Sequence, residues 1–306
     1  MLLAGCAGEI SRPEQTGYID AAGDAENENY ITDEPAASHE VTAQSPEGAA
    51  QTSETAAQAP VEVDERIGEL ISVDGADYKI ETRRYFVSDD INENYIDIVY
   101  PQIAEMDDAD IQEQINILLG DNAFGLLRGH GEGVTGLEIN ATYDITLSGA
   151  NFLSMKFNIY FYREGAAYCS DLLQTANIDM RTGENLKLSD FFIIDDSFVE
   201  KFKTCAILDS EKYHIFPETF EIILRNNTDE EFKEWLSIAD IPLNVYMQTD
   251  FASYFTKETL VISFGTSKAM MSYAEIVLSY DDLKENMRTD NDLWCEISPS
   301  LAVGQK

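Results

Sequence analysis

Residues that could do chemistry are few in this chain, and none sits in a familiar catalytic pattern. The three histidines are His39, His130 and His214. An H-E-x-x-H helix would hold zinc, and a G-x-S-x-G elbow would present a serine nucleophile. Neither occurs, and no P-loop lysine is present. Cys6, Cys169, Cys205 and Cys295 are too widely spaced for a redox or zinc C-x-x-C pair. The run "GEGVTG", 131–136, matches the dinucleotide fingerprint in letters only. That fingerprint needs a strand before it and a helix after it, so that a helix N-terminus meets pyrophosphate. Here a helical pattern precedes and a strand pattern follows, so the glycines read as a loop. "SDDINEN", "MDDADIQE" and "NNTDEEF" lack the glycine and closing glutamate of a calcium loop and read as solvated faces or helix starts. A carboxylate pair for glycoside hydrolysis can be assembled from so many acids, yet no local pattern marks one. No metal and no cofactor is expected.

The charge balance limits the partners. Against 57 acidic residues stand 20 basic ones, a formal net charge of −37. DNA, RNA and anionic lipid surfaces repel such a chain, and cationic partners are attracted. Solubility alone also accounts for an acidic surface.

Cys6 has a different context. Leu3-Ala4-Gly5-Cys6 resembles a bacterial lipobox: an apolar residue, two small ones, then the cysteine that receives a diacylglyceryl group. Residues 1–6 read as the remnant of a lipoprotein signal peptide. Two acyl chains anchor a protein stably where one does not. No later stretch approaches the ~20 apolar residues of a membrane span, so the lipid would be the anchor. The expected place is the extracytoplasmic face of a bacterial cell membrane. An exported chain could pair two of Cys169, Cys205 and Cys295, and three free thiols fit equally well.

Behind these residues stand the elements that must position them. Residues 7–65 are rich in Ala, Glu, Asp, Ser, Thr and Pro, too poor in large apolar groups to offset ordering entropy, and read as a disordered acidic linker. "YKIETRRYFV" and "YIDIVYP" read as strands, the second ended by Pro101. Ile111, Ile115, Leu118 and Leu119 have helical spacing behind aspartates that suit a helix start. "LEINATYDITLSG" and "NFLSMKFNIYFYREG" make a strand pair joined at Gly149-Ala150-Asn151. "LLQTANIDM" and "ENLKLSDFF" flank the turn Arg181-Thr182-Gly183. A helix is expected over 195–213 with Phe198, Phe202 and Cys205 on one face. Another follows Thr228, whose spacing to Glu231 is that of a capping box. Strands and a short helix close the chain. Elements in runs argue α+β: two small domains with antiparallel sheets and packed helices, 66–170 and 171–295, then a tail, 296–306. Alternation along 175–192 marks a scaffold hairpin. Its polar residues Asn177 and Asp179, with Tyr162 and Tyr168 nearby, form the expected binding rim.

"YFYREGAAYCSDLLQTANIDMRTGENLKLSDFF" resembles the junction of a domain pair of unknown function. That pair forms the extracellular part of the lysozyme-sensing anti-sigma-V factor and precedes the catalytic domain of a peptidoglycan deacetylase. The resemblance extends to "YIDIVYPQIAEMDDADIQEQINILL", "TKETLVISF" and "AEIVLSYDDLKENM", and covers roughly 78–288. Where family members often carry Gly-Gly-Ala-His, this chain has Glu164-Gly165-Ala166-Ala167. Neither an anti-sigma segment nor a deacetylase domain is present, so the resemblance implies a fold and not a chemistry. The resulting expectation is a non-catalytic, lipid-anchored binding or sensing module. Its partner would be an extracellular, cationic protein or an envelope glycan; the alternative is a glycan-modifying envelope enzyme. Mass spectrometry of the protein from its native membrane is expected to show a diacylglyceryl mass on Cys6. An unmodified chain in the cytosol would remove both the anchor and the location.

Overall fold

The computed structural model describes residues 61–130, 133–204, 206–207, 217–244, 247–248, 251–265 and 273–298. Cys6, His39, Cys205, His214 and the linker up to residue 60 lie outside them. The first element departs from expectation. Residues 61–65, assigned to the linker, belong to strand β1 (Val61–Arg66), which pairs antiparallel with β3 (Lys79–Asp89) along its whole length. Val61 and Val63 alternate with Glu62 and Asp64, a strand period hidden in an acidic composition. A short β2 (Ile71–Ser72) pairs with the start of β3.

The chain then builds β4 (Asn94–Ala104), α1 (Ala109–His130), β5 (Leu137–Ser148), β6 (Phe152–Arg163), β7 (Ser170–Asp179) and β8 (Glu184–Asn185). They form one eight-stranded sheet ordered β1-β3-β4-β5-β6-β7-β8, with β2 also on β3. All neighbours are antiparallel except β4 and β5, which run parallel because α1 carries the chain back between them. Pro101 does not end β4. The Thr82 carbonyl accepts from Ile67 and so points away from β4, which leaves the Thr82–Pro101 pair without a hydrogen bond to lose. On its other side β4 meets β5 only over Tyr95–Ile98. The missing proline N–H therefore costs the sheet nothing. α1 starts where Asp108 accepts from the amides of Asp110 and Ile111, and buries Ile115 and Leu119 against Ile98, Ile139 and Phe157.

The remaining elements are α2 (Leu188–Phe191), α3 (Asp196–Thr204), β9 (Ala206–Ile207), α4 (Pro217–Asn226), α5 (Asp229–Ser237), β10 (Pro242–Asn244), β11 (Met247–Gln248), β12 (Phe251–Phe255), β13 (Thr259–Gly265), β14 (Tyr273–Ser279), α6 (Tyr280–Leu283) and α7 (Trp294–Ile297). A second sheet has the order β12-β13-β14-β9. The helix expected over 195–213 stops at Thr204, whose hydroxyl donates to the carbonyls of Glu200 and Lys201. Ala206 and Ile207 join the second sheet opposite Val277 and Ile276 instead. The capping box holds: the Glu231 amide donates to Thr228 Oγ1 and the Thr228 amide to Glu231 Oε2. A second core gathers Phe191, Phe192, Phe198, Phe202, Phe232, Phe255 and Trp294. Trp294 and Ile297 are both buried, so packing continues beyond residue 295. β7 is hydrogen-bonded to β6 from Ser170 to Asp179, so the first sheet continues across the 170/171 boundary.

The two sheets meet through polar groups. Ser154 on β6 donates to Asn177 Oδ1 on β7 at 2.7 Å and accepts from the Phe255 amide on β12 at 2.9 Å. Asn177 Nδ2 donates to the Ser253 carbonyl at 2.8 Å. Beside them Asp240 is 1% exposed. Its carboxylate accepts from Thr175 Oγ1 (3.0 Å), the Ser253 amide (2.6 Å), Ser253 Oγ (2.6 Å) and the Leu188 amide (3.1 Å). One carboxylate thereby joins β7, β12 and α2, and its own backbone takes φ 67° to do so. Burial pushes its pKa up to about 6, although the four donors favour the charged form. A folded value above the unfolded ~3.9 means that the folded state holds this proton more tightly. The group's contribution is full below about pH 4 and is lost as pH rises through 6, a change on the order of 3 kcal/mol. In urea denaturation across that range, wild type is expected to lose stability relative to Asp240→Asn by that order. A difference flat in pH would contradict it.

Candidate functional site

The four rim residues do not lie together on the surface. Asn177 is 0% exposed and Asp179 7%. The polar atoms of Asn177 are spent on Ser154, Ser253 and Asn185. Asp179 is clamped by Arg181 within its own hairpin, Nε to Oδ1 at 2.9 Å and Nη2 to Oδ2 at 2.7 Å. Arg181 reaches on to Asp292. The polar side of β7 is thus covered by β12, and the surface it recognises is the chain's own second layer. Tyr162 is half-buried and Tyr168 is 63% exposed, so the surface portion of the rim is these two tyrosines.

Tyr162 belongs to a larger face. Residues directly opposite in a sheet share a side, and the pairing aligns two rows across the strands. One runs Val61, Ser88, Tyr95, Glu138, Tyr162. The next runs Val63, Phe86, Asp97, Asn140, Tyr160, Asp171. Both lie on the side away from α1, since Tyr85 and Tyr100, of opposite parity, meet Phe124 of that helix. Further along β6 and β7 the same side is covered by β12. Over these two rows the side chains are half-buried or exposed throughout, so this end of the face is open. Aromatic rings alternate with carboxylates. Phe86 meets Tyr95 edge-on at 5.5 Å. Arg84 sits 4.9 Å from the Phe86 ring and forks onto Asp97 at 2.7 and 2.8 Å. Desolvation first, then Glu138, Cys169 and Asp171, raise the Tyr160 phenol above its ordinary value. Desolvation also raises Asp171, exposed as that residue is overall. The face offers flat rings for stacking and carboxylates for cations or hydroxyls.

Where the covered region begins, Lys156 Nζ lies 3.3 Å from Glu275 Oε1 and 5.1 Å from the Tyr254 ring, and Tyr254 donates to the same oxygen at 2.7 Å. Glu275 Oε2 is buried without a hydrogen-bond partner. No sequence signal marks this group, whose members come from three separated strands. A groove of about 630 Å³ lies between α1 and the β7–β8 hairpin, beside Ile117, Leu118 and Leu186. Two of its three carboxylates are engaged: Asp121 pairs with Arg128, and Asp190 accepts from the Lys187 amide. Cys169 and Cys295 are exposed and unpaired. His130 stacks on Phe161 at 4.8 Å, and burial, then Arg163, lower its pKa. The glycine run stands between α1 and β5, so a helix precedes it and a strand follows; its first two residues lie outside the described ones. Among the described residues no group of His, Cys, Asp or Glu is arranged to hold a metal ion, and no helix is long and apolar enough to cross a membrane.

No family model and no curated protein matches the chain. Solved structures align with it, two DUF3298 family proteins among them. A DUF3298 family member from Bacteroides fragilis shares 15% identity over 78% of this chain and 97% of its own, with TM-score 0.38. A DUF3298 family protein from Pseudomonas aeruginosa shares 11% identity over 74% and 95%, with TM-score 0.41. The structural neighbours are DUF3298 family proteins, at a similarity too low to carry a site across. The geometry separates scaffold from surface. Asn177→Ala is expected to cost about 1–3 kcal/mol of unfolding free energy, because it orphans buried groups. Tyr168→Ala is expected to stay within about 0.5 kcal/mol. Equal effects in chemical denaturation would undo that division.

Proposed function

We propose that this protein is a non-catalytic binding or sensing module, held at the extracytoplasmic face of a membrane by a lipid on Cys6. Its ligand surface is the open end of the large sheet. The observation that carries the reading is the alternation of Phe86, Tyr95, Tyr160 and Tyr162 with Asp97, Glu138 and Asp171 on that face. Tyrosine supplies contact area at small entropic cost, and carboxylates beside rings suit ammonium and guanidinium groups. The net charge of −37 favours a cationic protein; an envelope glycan stacking on the same rings is the second candidate.

The test is a pull-down of the full chain against envelope fractions and cationic muramidases, at low and at moderate salt. Saturable capture that survives about 0.15 M salt and weakens about fivefold or more in Tyr162→Ala supports the reading. Capture that vanishes with salt, or ignores the tyrosine, reduces the charge to a solubility device.

A further inference from the structure

Among the described residues no strand pairs with the outer edge of β1. Ile67 donates to the Thr82 carbonyl, and the antiparallel alternation then turns the amides of Glu65, Val63 and Val61 toward β3. The backbone groups of Glu62, Asp64 and Arg66 point outward. Among the described residues they meet only Arg83 Nη2, 3.5 Å from the Asp64 carbonyl. All six residues of β1 are exposed, Val61 by 48% and Val63 by 37%. Edges are commonly blunted by a bulge, a proline or charged side chains, and β1 carries only the last of these. Here the register with β3 runs unbroken from Val61 to Arg66, and no proline lies within it. Two of its three acidic side chains fold back onto their own sheet: Tyr85 donates to Glu62, and Arg83 and Tyr100 donate to Asp64.

We infer that this edge takes up an extended segment of a partner protein whose residues alternate apolar and basic, adding a strand outside β1. Backbone groups of Glu62, Asp64 and Arg66 supply the ladder. Val61 and Val63, continuous with Phe86 on the open face, take the apolar side chains. Glu62 and Asp64, on the other side, take the basic ones. A second copy of this chain fits less well than a basic strand, because on that side of β1 only Arg66 could answer the carboxylates of Glu62 and Asp64. The two fullest antiparallel overlaps oppose Asp64 either to its own copy or to Glu62, and a parallel in-register pair opposes every charge to itself. The inference extends the binding-module reading to a second surface.

The probe is a fluorescein-labelled hexapeptide, Val-Lys-Val-Lys-Val-Lys, titrated into the full chain by fluorescence anisotropy at about 0.15 M salt. Saturable binding is expected. Methylating alternate amide nitrogens of the peptide is expected to weaken it about tenfold or more, since methylation removes ladder donors. Glu62→Pro removes an outward amide and leaves the bonds to β3 intact, and should weaken binding about tenfold, against threefold or less for Glu62→Gln. The methylated peptide makes the same test with the protein unaltered, should the proline variant fold poorly. Absence of saturable binding, or binding indifferent to methylation, overturns the inference. Loss through Tyr162→Ala with Glu62→Pro unaffected overturns the edge and leaves the open-face reading standing.

Discussion

The arrangement depends on buried polar contact between two sheets. Apolar layers can slide by small steps at little cost, because dispersion is non-directional. Ser154, Asn177 and Asp240 cannot. Each has partners fixed in distance and direction on β12, and a shift of one residue would strand them all. Leaving a buried donor or acceptor unmade costs more than making it gains. These groups therefore decide register and docking angle more than they add stability, and the phenylalanine-rich core behind them supplies the bulk of the burial.

One consequence is a division of labour along a single sheet face. Near Ser154, Lys156 and Asn177 it is an internal interface. Near Tyr95, Tyr160 and Tyr162 it is surface. Lys156 and Glu275 stand at the border, where charge is still compensated but no longer solvated. A strand such as β6 thus carries both roles in twelve residues, with no change of alternation between them. The aromatic rings at its open end are held by cross-strand neighbours rather than by loops, so their spacing is that of the sheet itself.

Much of this was legible in the sequence. The period of Ile111, Ile115 and Leu119 marks α1, the β5–β6 pair and its Gly149 turn stand out, and Thr228 with Glu231 announces α5, because each signal is local. The α+β class followed from the order of such elements. What escaped depends on distant partners. Alternation shows that Asn177 and Asp179 share a side, but not that β12 covers one of them and Arg181 clamps the other. Nothing local separates β9 from the end of α3, since Ala206 and Ile207 become a strand only through β14. Pro101 misleads for the same reason: whether its missing N–H matters is decided by where the pairing of β4 with β5 ends. The open face was half visible, as tyrosines in one strand, while Phe86, Tyr95 and Asp97 join them only through the register.

The entry of the chain into the fold has a mechanical side. Whatever precedes Val61 is attached directly to a six-residue edge strand. A pull arriving along the chain meets the β1–β3 ladder before any other described element. β1 shares no residue with either hydrophobic core, so its resistance comes from that ladder and a few side-chain ties, which can break in succession. The sheet from β3 onward keeps its cores when β1 leaves. Tension would thus register first as the loss of one strand, and β1 is the fuse of the fold.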